Sequence, residues 1–241
     1  MKFLKQLIAS STSEPVAESA GSSFRNLTPE QMEEHLAVSR YGRFSLTDAV
    51  RPSFNLDVVP SAGYRRDVFK DGEGGEEVPV LMAAQSREVL FDLFLDLLNP
   101  LGETVDVVLE STHNDGQKVE HYREHVDLPI LKSMLLDFED LLLNDGCTGI
   151  AVLNPRKPLE VQFDEHKLLV MYGQDLIGFE EILFEHRLSH REELRFITEG
   201  EHVHSSTDEA AEEFSQMVYR FGIDDGPDDR VHGDESGDYA Y

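Results

Sequence analysis

The residues best placed to do chemistry in this chain are histidines with acids beside them. His121-Tyr122-Arg123-Glu124-His125 fits H-x-x-E-H, the pattern of inverted zinc peptidases, in which two histidines four apart share a metal. On a helix their Cβ atoms would lie about 6 Å apart and both rings could reach one ion. On a strand, four residues at about 3.3 Å each separate them by about 13 Å, too far for one ion. A second candidate is "EGEHVHSS", where His202 and His204 follow Glu199 and Glu201. An H-x-H pair with carboxylates can take zinc, iron or copper, particularly from a loop. The alternative there is a polar linker whose Ser206 caps the next helix.

Cys147 is the one cysteine, so no intramolecular disulfide is expected and a reducing compartment suits the chain. It follows a predicted helix C-terminus, where the dipole disfavours a thiolate, and enters an apolar strand, which reads as a small buried residue rather than a nucleophile. "DGEGG" at 71–75 lacks both the Gly-Lys-Ser/Thr ending and the strand-to-helix setting of a phosphate cradle. Arg65, Arg66 and Lys70 form one of few basic spots and read as local charge balance.

The neighbourhood of the H-x-x-E-H pattern favours strands. "TVDVVLE" and "KVEHYREHV" flank Asp115-Gly116, a strong two-residue hairpin turn. Closing the turn there predicts a register in which Leu109 faces Tyr122, Val105 faces Val126, Glu110 faces His121 and Asp106 faces His125. That places acid–histidine pairs on the solvent side and dismisses the zinc helix.

The remaining elements follow from periodicity and caps. Thr28, Pro29 and Gln31 announce a helix over about 29–39. "YRRDVF" and "EVPVLMA" predict a hairpin across the glycine-rich 71–75 stretch. A largely buried helix runs from Ser86 to about Leu98, and an amphipathic one, capped by Asp127, carries Leu131, Met134, Leu135, Phe138, Leu141 and Leu142. "GIAVLNP", "LEVQF" and "KLLVMYG" read as strands, the last two paired across "DEH". A helix over about 175–187, a strand at "LRFITE" and a final helix with Ser206 and Glu209 as its capping box complete the order. The expected fold is α+β, a mixed or antiparallel sheet covered by helices. The order from Pro79 to Leu153 allows a ferredoxin-like βαββαβ unit, although its central third strand would then be strongly polar.

At 241 residues, the expected organisation is a flexible arm over 1–63 containing the first helix, one globular domain over 64–223 and a disordered acidic tail over 224–241. Within the arm, residues 9–25 read as disordered and 42–63 as irregular. Forty-eight acidic against 21 basic residues give a net charge of −27, which repels phosphate backbones and anionic lipid and argues against direct nucleic-acid binding. Lys5 and Gln6 interrupt the apolar run a signal peptide needs, and no stretch approaches a membrane span. A cytoplasmic protein is the expectation.

Three functions remain open. The first is a non-catalytic binding or regulatory module that engages another protein, a basic one by charge, without a cofactor. The second is a metal-dependent hydrolase using His202 and His204. The third is an acidic decoy of a nucleic-acid-binding protein.

Overall fold

The computed structural model describes residues 22–70, 77–114 and 116–223. The "DGEGG" loop, Asp115, the expected tail and most of the first 25 residues therefore lie outside the described residues. Thr28 caps α1 (Pro29–Leu36) in the expected box, its hydroxyl accepting from Gln31 N–H while the Gln31 side chain accepts from Thr28 N–H. Three short strands follow, β1 (Arg40–Tyr41), β2 (Phe44–Ser45) and β3 (Val50–Pro52), with Phe44, Leu46, Ala49 and Val50 buried. Residues 22–25, the end of the stretch expected to be disordered, form a turn whose Ser23 N–H donates to the Glu201 carboxylate at 2.8 Å.

β4 (Gly63–Lys70) and β5 (Glu77–Ala84) form the expected hairpin arms. α2 (Arg87–Leu97) buries Leu90, Phe91, Leu93, Phe94 and Leu97, while Val89 stays exposed. β6 (Thr104–Asn114) and β7 (Gln117–Asp127) follow, then α3 (Leu128–Leu136) and α4 (Glu139–Asn144) where one longer helix was expected. β8 (Thr148–Leu153), β9 (Leu159–Phe163), β10 (Leu169–Gly173) and α5 (Ile177–Glu185) agree with the sequence reading. "LRFITE" is not a strand: Ile197–Glu199 make a 3₁₀ turn, and the strand of this region is β11 (His202–His204). α6 (Asp208–Arg220) is capped by Thr207, whose hydroxyl accepts from Ala210 N–H, rather than by Ser206. Ser86 and Asp127 occupy N-cap positions without making the side-chain cap bond. No helix among the described residues is long and apolar enough to cross a membrane.

The fold is α+β. Seven strands form one antiparallel sheet in the order β4-β5-β10-β9-β8-β6-β7. In a ferredoxin-like unit the first and third strands lie side by side in the middle and run parallel. Here the corresponding third strand, β7, is at the edge, which is where a strand as polar as "KVEHYREHV" can hydrate its outer groups. Alternate residues put Leu81, Val107, Leu109, Ile150, Val152, Val161, Phe163, Leu169 and Met171 on one face, packed against the helices. The opposite face presents Glu110, Glu160, Gln162, Val170 and Tyr172 and, among the described residues, lies outside the core cluster that the helices cover, as antiparallel sheets permit.

The β6–β7 hairpin exists, but its register is corrected from Val107 to Ser111. Val105 faces Val126 as expected; Leu109 then faces His121, Val108 faces Tyr122 and Glu110 faces Glu120. The one-residue slip runs from Val107 to Ser111 between two irregularities, a bulge between Val105 and Val107 with His125 at φ +57° and a second shift between Ser111 and Asn114, beyond which Asn114 faces Gln117. Asp106 is buried there and accepts from His125 N–H at 2.8 Å and from the Tyr122 hydroxyl at 3.0 Å, so it meets the histidine backbone rather than its ring.

Removing the Asp106 carboxylate takes away the acceptor of the half-buried His125 N–H and of the Tyr122 hydroxyl. Asp106→Ala is expected to cost about 2–4 kcal/mol by urea unfolding. His125→Gly, which relieves the left-handed backbone at the expense of chain entropy, should leave stability within about 1 kcal/mol. A large loss on His125→Gly would show that the bulge is held by the ring instead.

Candidate metal centre

β9 and β10 are joined by a tight turn, Asp164-Glu165-His166-Lys167-Leu168. Asp164 organises it, its carboxylate accepting from Leu168 N–H at 2.7 Å and its carbonyl from Lys167 N–H at 3.0 Å. Lys167 takes the left-handed conformation at φ +63° and reaches across the sheet end to donate from Nζ to the Thr148 carbonyl at 2.7 Å. Burial pushes its ammonium down to about 8, against the pull of Asp145 and Asp164. The turn is thereby tied to the loop that precedes β8.

That loop also meets β11. Gly146 N–H donates to the Ser205 carbonyl at 2.7 Å, and Ser205 N–H donates to the Ala49 carbonyl at 2.8 Å. A Cβ on Gly146 would stand 2.4 Å from the Ala49 oxygen and 2.9 Å from that of Ser205, so only glycine lets the three segments close. On its other edge β11 pairs with β3, Val203 opposite Arg51.

These contacts gather His166, His202 and His204. Their ring centroids lie 4.7–5.1 Å apart, and one ligand nitrogen from each falls within 4.8 Å of the others. Each ring has its Nδ1 on an acceptor: Asp164 Oδ2 at 3.1 Å for His166, the Gly200 carbonyl at 2.9 Å for His202 and the Gly146 carbonyl at 2.6 Å for His204. An acceptor on Nδ1 places the proton there and leaves Nε2 as the lone pair, the arrangement metal-binding histidines share. His166 Nε2 is buried and has no hydrogen-bond partner. Tetrahedral zinc, with bonds of about 2.0–2.1 Å, sets its nitrogens about 3.4 Å apart, so loading would draw the rings inward by up to about 1.4 Å.

Electrostatics differ among the three. Burial pushes His204 down to about 4, helped by the neighbouring His166 charge, and lowers His202. Burial also works against protonation of His166, but the Asp164 and Glu165 carboxylates outweigh it and hold the ring above its ordinary value.

Asp164, Glu165 and His166 border a cleft of about 300 Å³ on the open sheet face, lined further by Val68, Phe69, Val80, Met82, Val170 and Tyr172 with Asp67, Glu110, Lys118 and Gln162. Gly149 faces Glu110 across β8 and β6 and contributes no side chain to that face. Burial, then the nearby acids, hold Glu110 at about 7 although Lys118 Nζ lies 3.1 Å away. Glu160 is fully buried beside it, accepts from Gln162 Nε2 at 2.5 Å, leaves Oε2 unpartnered and is likewise held at about 7 by burial.

Of the sequence candidates, His202 and His204 come together here, and His166 was missed. It sits 36 residues upstream inside a turn, and no spacing links it to β11. His121 and His125 belong to no group of three or more potential ligands among the described residues. Comparison with protein-family models, curated proteins and solved structures finds no significant match.

The buried acid predicts a pH signature. The Glu160 carboxyl, ordinarily near 4.5, binds its proton more tightly in the folded chain than in the unfolded one. Its contribution to stability is therefore full below about 4.5 and lost as pH rises through about 7. The groups facing it are Glu110, Lys118, Gln162 and Tyr172. Glu160→Gln is expected to raise stability at pH 8 by about 3 kcal/mol and to add little at pH 4.5, read from urea unfolding at both values. An equal gain at both would mean that the carboxylate is solvated.

Proposed function

We propose that the chain is a zinc-class metalloprotein whose His166, His202 and His204 hold one divalent ion through Nε2, and that it carries out metal-assisted hydrolysis in the adjoining cleft. What carries the reading is the set of three Nδ1 groups, each fixed on an oxygen acceptor beside a buried and unpartnered His166 Nε2. Three protein ligands leave a fourth position for water or substrate, as in catalytic rather than structural zinc sites. An ion there would lower the pKa of bound water or polarise a carbonyl.

The cleft narrows the substrate. Asp67, Glu110, Asp164 and Glu165 outnumber Lys118, so an anionic phosphoester is disfavoured, while Phe69, Met82 and Val170 offer apolar walls. A neutral or cationic ester or amide with an apolar acyl part fits these linings. Glu110, held at about 7, is suited to exchange a proton with such a substrate near neutrality.

The alternative of a protein-binding module is favoured by one observation, the exposed Ile177 and Phe184 on α5. It makes no use of the histidines.

Metal content separates the two. Protein stripped with chelator and dialysed against zinc is expected to retain it at the three-histidine site and to hydrolyse a neutral aryl ester in a zinc-dependent way. His166→Ala or His204→Ala should weaken zinc at that site more than about 100-fold, and His121→Ala should leave it unchanged. Unaltered zinc affinity in the His166→Ala, His204→Ala double variant would end the proposal; retained zinc without hydrolysis would reduce it to a binding site.

A further inference from the structure

Around Gly146 lies a second group of potential ligands that the three-histidine site does not use. We infer that His113, Asp145 and Cys147 form a separate, thiolate-containing metal site. One ligand atom from each lies within 4.8 Å of the others. The inference stands on different side chains and does not rest on the function proposed above.

The backbone explains the grouping. Asp145 is extended, at φ −94° and ψ 119°, and Gly146 and Cys147 form the turn that leads into β8, which keeps Asp145 and Cys147 close enough to share one ligand group. Thr112 N–H donates to the Cys147 carbonyl at 2.9 Å, which lays the end of β6 alongside and brings in His113. Phe214 of α6 stacks on the His113 ring, centroids 5.8 Å apart.

The polar atoms of the group are incompletely matched. Ser111 Oγ lies 2.6 Å from His113 Nδ1, and His113 Nε2 faces Asp145 Oδ2 at 3.1 Å, yet Nε2 makes no aligned hydrogen bond. Asp145 Oδ1 also has no aligned partner, on a carboxylate that is 1% exposed. Asp145 Oδ2 also accepts from Thr148 Oγ1 at 2.5 Å; with the His113 proton on Nδ1 toward Ser111, Nε2 offers a lone pair beside that carboxylate, and a cation would join the two. Cys147 is half-buried, which leaves a way in for an ion.

Charge and softness name the class. A deprotonated thiol and a carboxylate neutralise a divalent ion, and one sulfur with one nitrogen and one oxygen suits zinc or its cobalt substitute better than calcium or magnesium. Loading forms the metal–sulfur bond and sends the thiol proton to solvent. Read as a serine–histidine–acid nucleophile, the same row fails on access, because Ser111 is buried within β6 and does not line the cleft.

Cobalt(II) reads the two sites apart, since sulfur ligation produces a thiolate-to-cobalt charge-transfer band in the near ultraviolet and histidine ligation does not. Titrating the chelator-stripped full chain should develop that band. It should persist in the His202→Ala, His204→Ala double variant, vanish in Cys147→Ser, and need at least about tenfold more cobalt in His113→Ala and in Asp145→Asn. On the unsubstituted chain, zinc should slow alkylation of this single cysteine about tenfold, which guards against a variant that fails to fold. Cobalt uptake without the band, or a band of unchanged affinity in both His113→Ala and Asp145→Asn, would overturn the site. Loss of the band in the histidine double variant alone would do so as well, by making the two groups one. Failure of the three-histidine site leaves this band untouched.

Discussion

Three backbone segments close on one another at Gly146, and the chemistry of the molecule depends on that approach. The loop before β8 donates to Ser205, Ser205 donates to Ala49, and the Gly146 carbonyl receives the Nδ1 proton of His204. A side chain at position 146 would collide with the Ala49 and Ser205 backbones. One achiral residue therefore lets β3, β11 and the loop pack as a layer, and it sets the tautomer of a histidine as it does so. The flanking Asp145 and Cys147 lie with His113, so residues 145–147 take part in two separate groups.

The sheet supplies the second constraint. Its helix-covered face holds nearly all of the large apolar side chains, including Phe94, Phe163 and Phe179, and so carries most of the folding free energy. The other face is released from packing duty and can hold groups that disfavour folding. Glu160 is the clearest case, a carboxyl with no exposure and one unpartnered oxygen on a face otherwise shaped as a cleft. Charging it near neutral pH works against the fold, so its position costs stability that the apolar face offsets. Such unfavourable placements concentrate where a surface has a use besides packing.

How far the sequence could be read varied with the range of the interactions. Helices and strands with strong periodicity were legible: the Leu- and Phe-rich α2, the alternating β9 and the Thr28 capping box all follow from local rules. The β6–β7 hairpin was legible at Asn114–Gln117 and at Val105–Val126, but between them its register slipped by one, because neither the bulge held by Asp106 nor the shift between Ser111 and Asn114 has a local signature. "LRFITE" alternates like a strand yet forms a 3₁₀ turn, while the polar "HVH" became β11 because β3 offered it an edge. The longer helix after Asp127 broke into α3 and α4 at Asp137 and Phe138, where the buried Phe138 leaves the helical region at φ −121° and ψ 20°. Strand order was equally beyond local rules, and the polarity of β7 was the one hint that it lies at an edge.

By itself, then, the sequence determined the α+β class, the strongly periodic elements and the net charge of −27, because propensity and alternation act over a few residues and charge is a count. It also singled out His202 and His204, since two histidines one residue apart are visible wherever the chain goes. Only the tertiary structure decided that His166 joins them, that Cys147 and Asp145 lie with His113, and that His121 and His125 sit along a strand. Those juxtapositions arise from strand pairing and from the close approach at Gly146. The two ligand groups join residues from about 30 to 40 positions apart, and a distance closed by folding leaves no mark in local spacing.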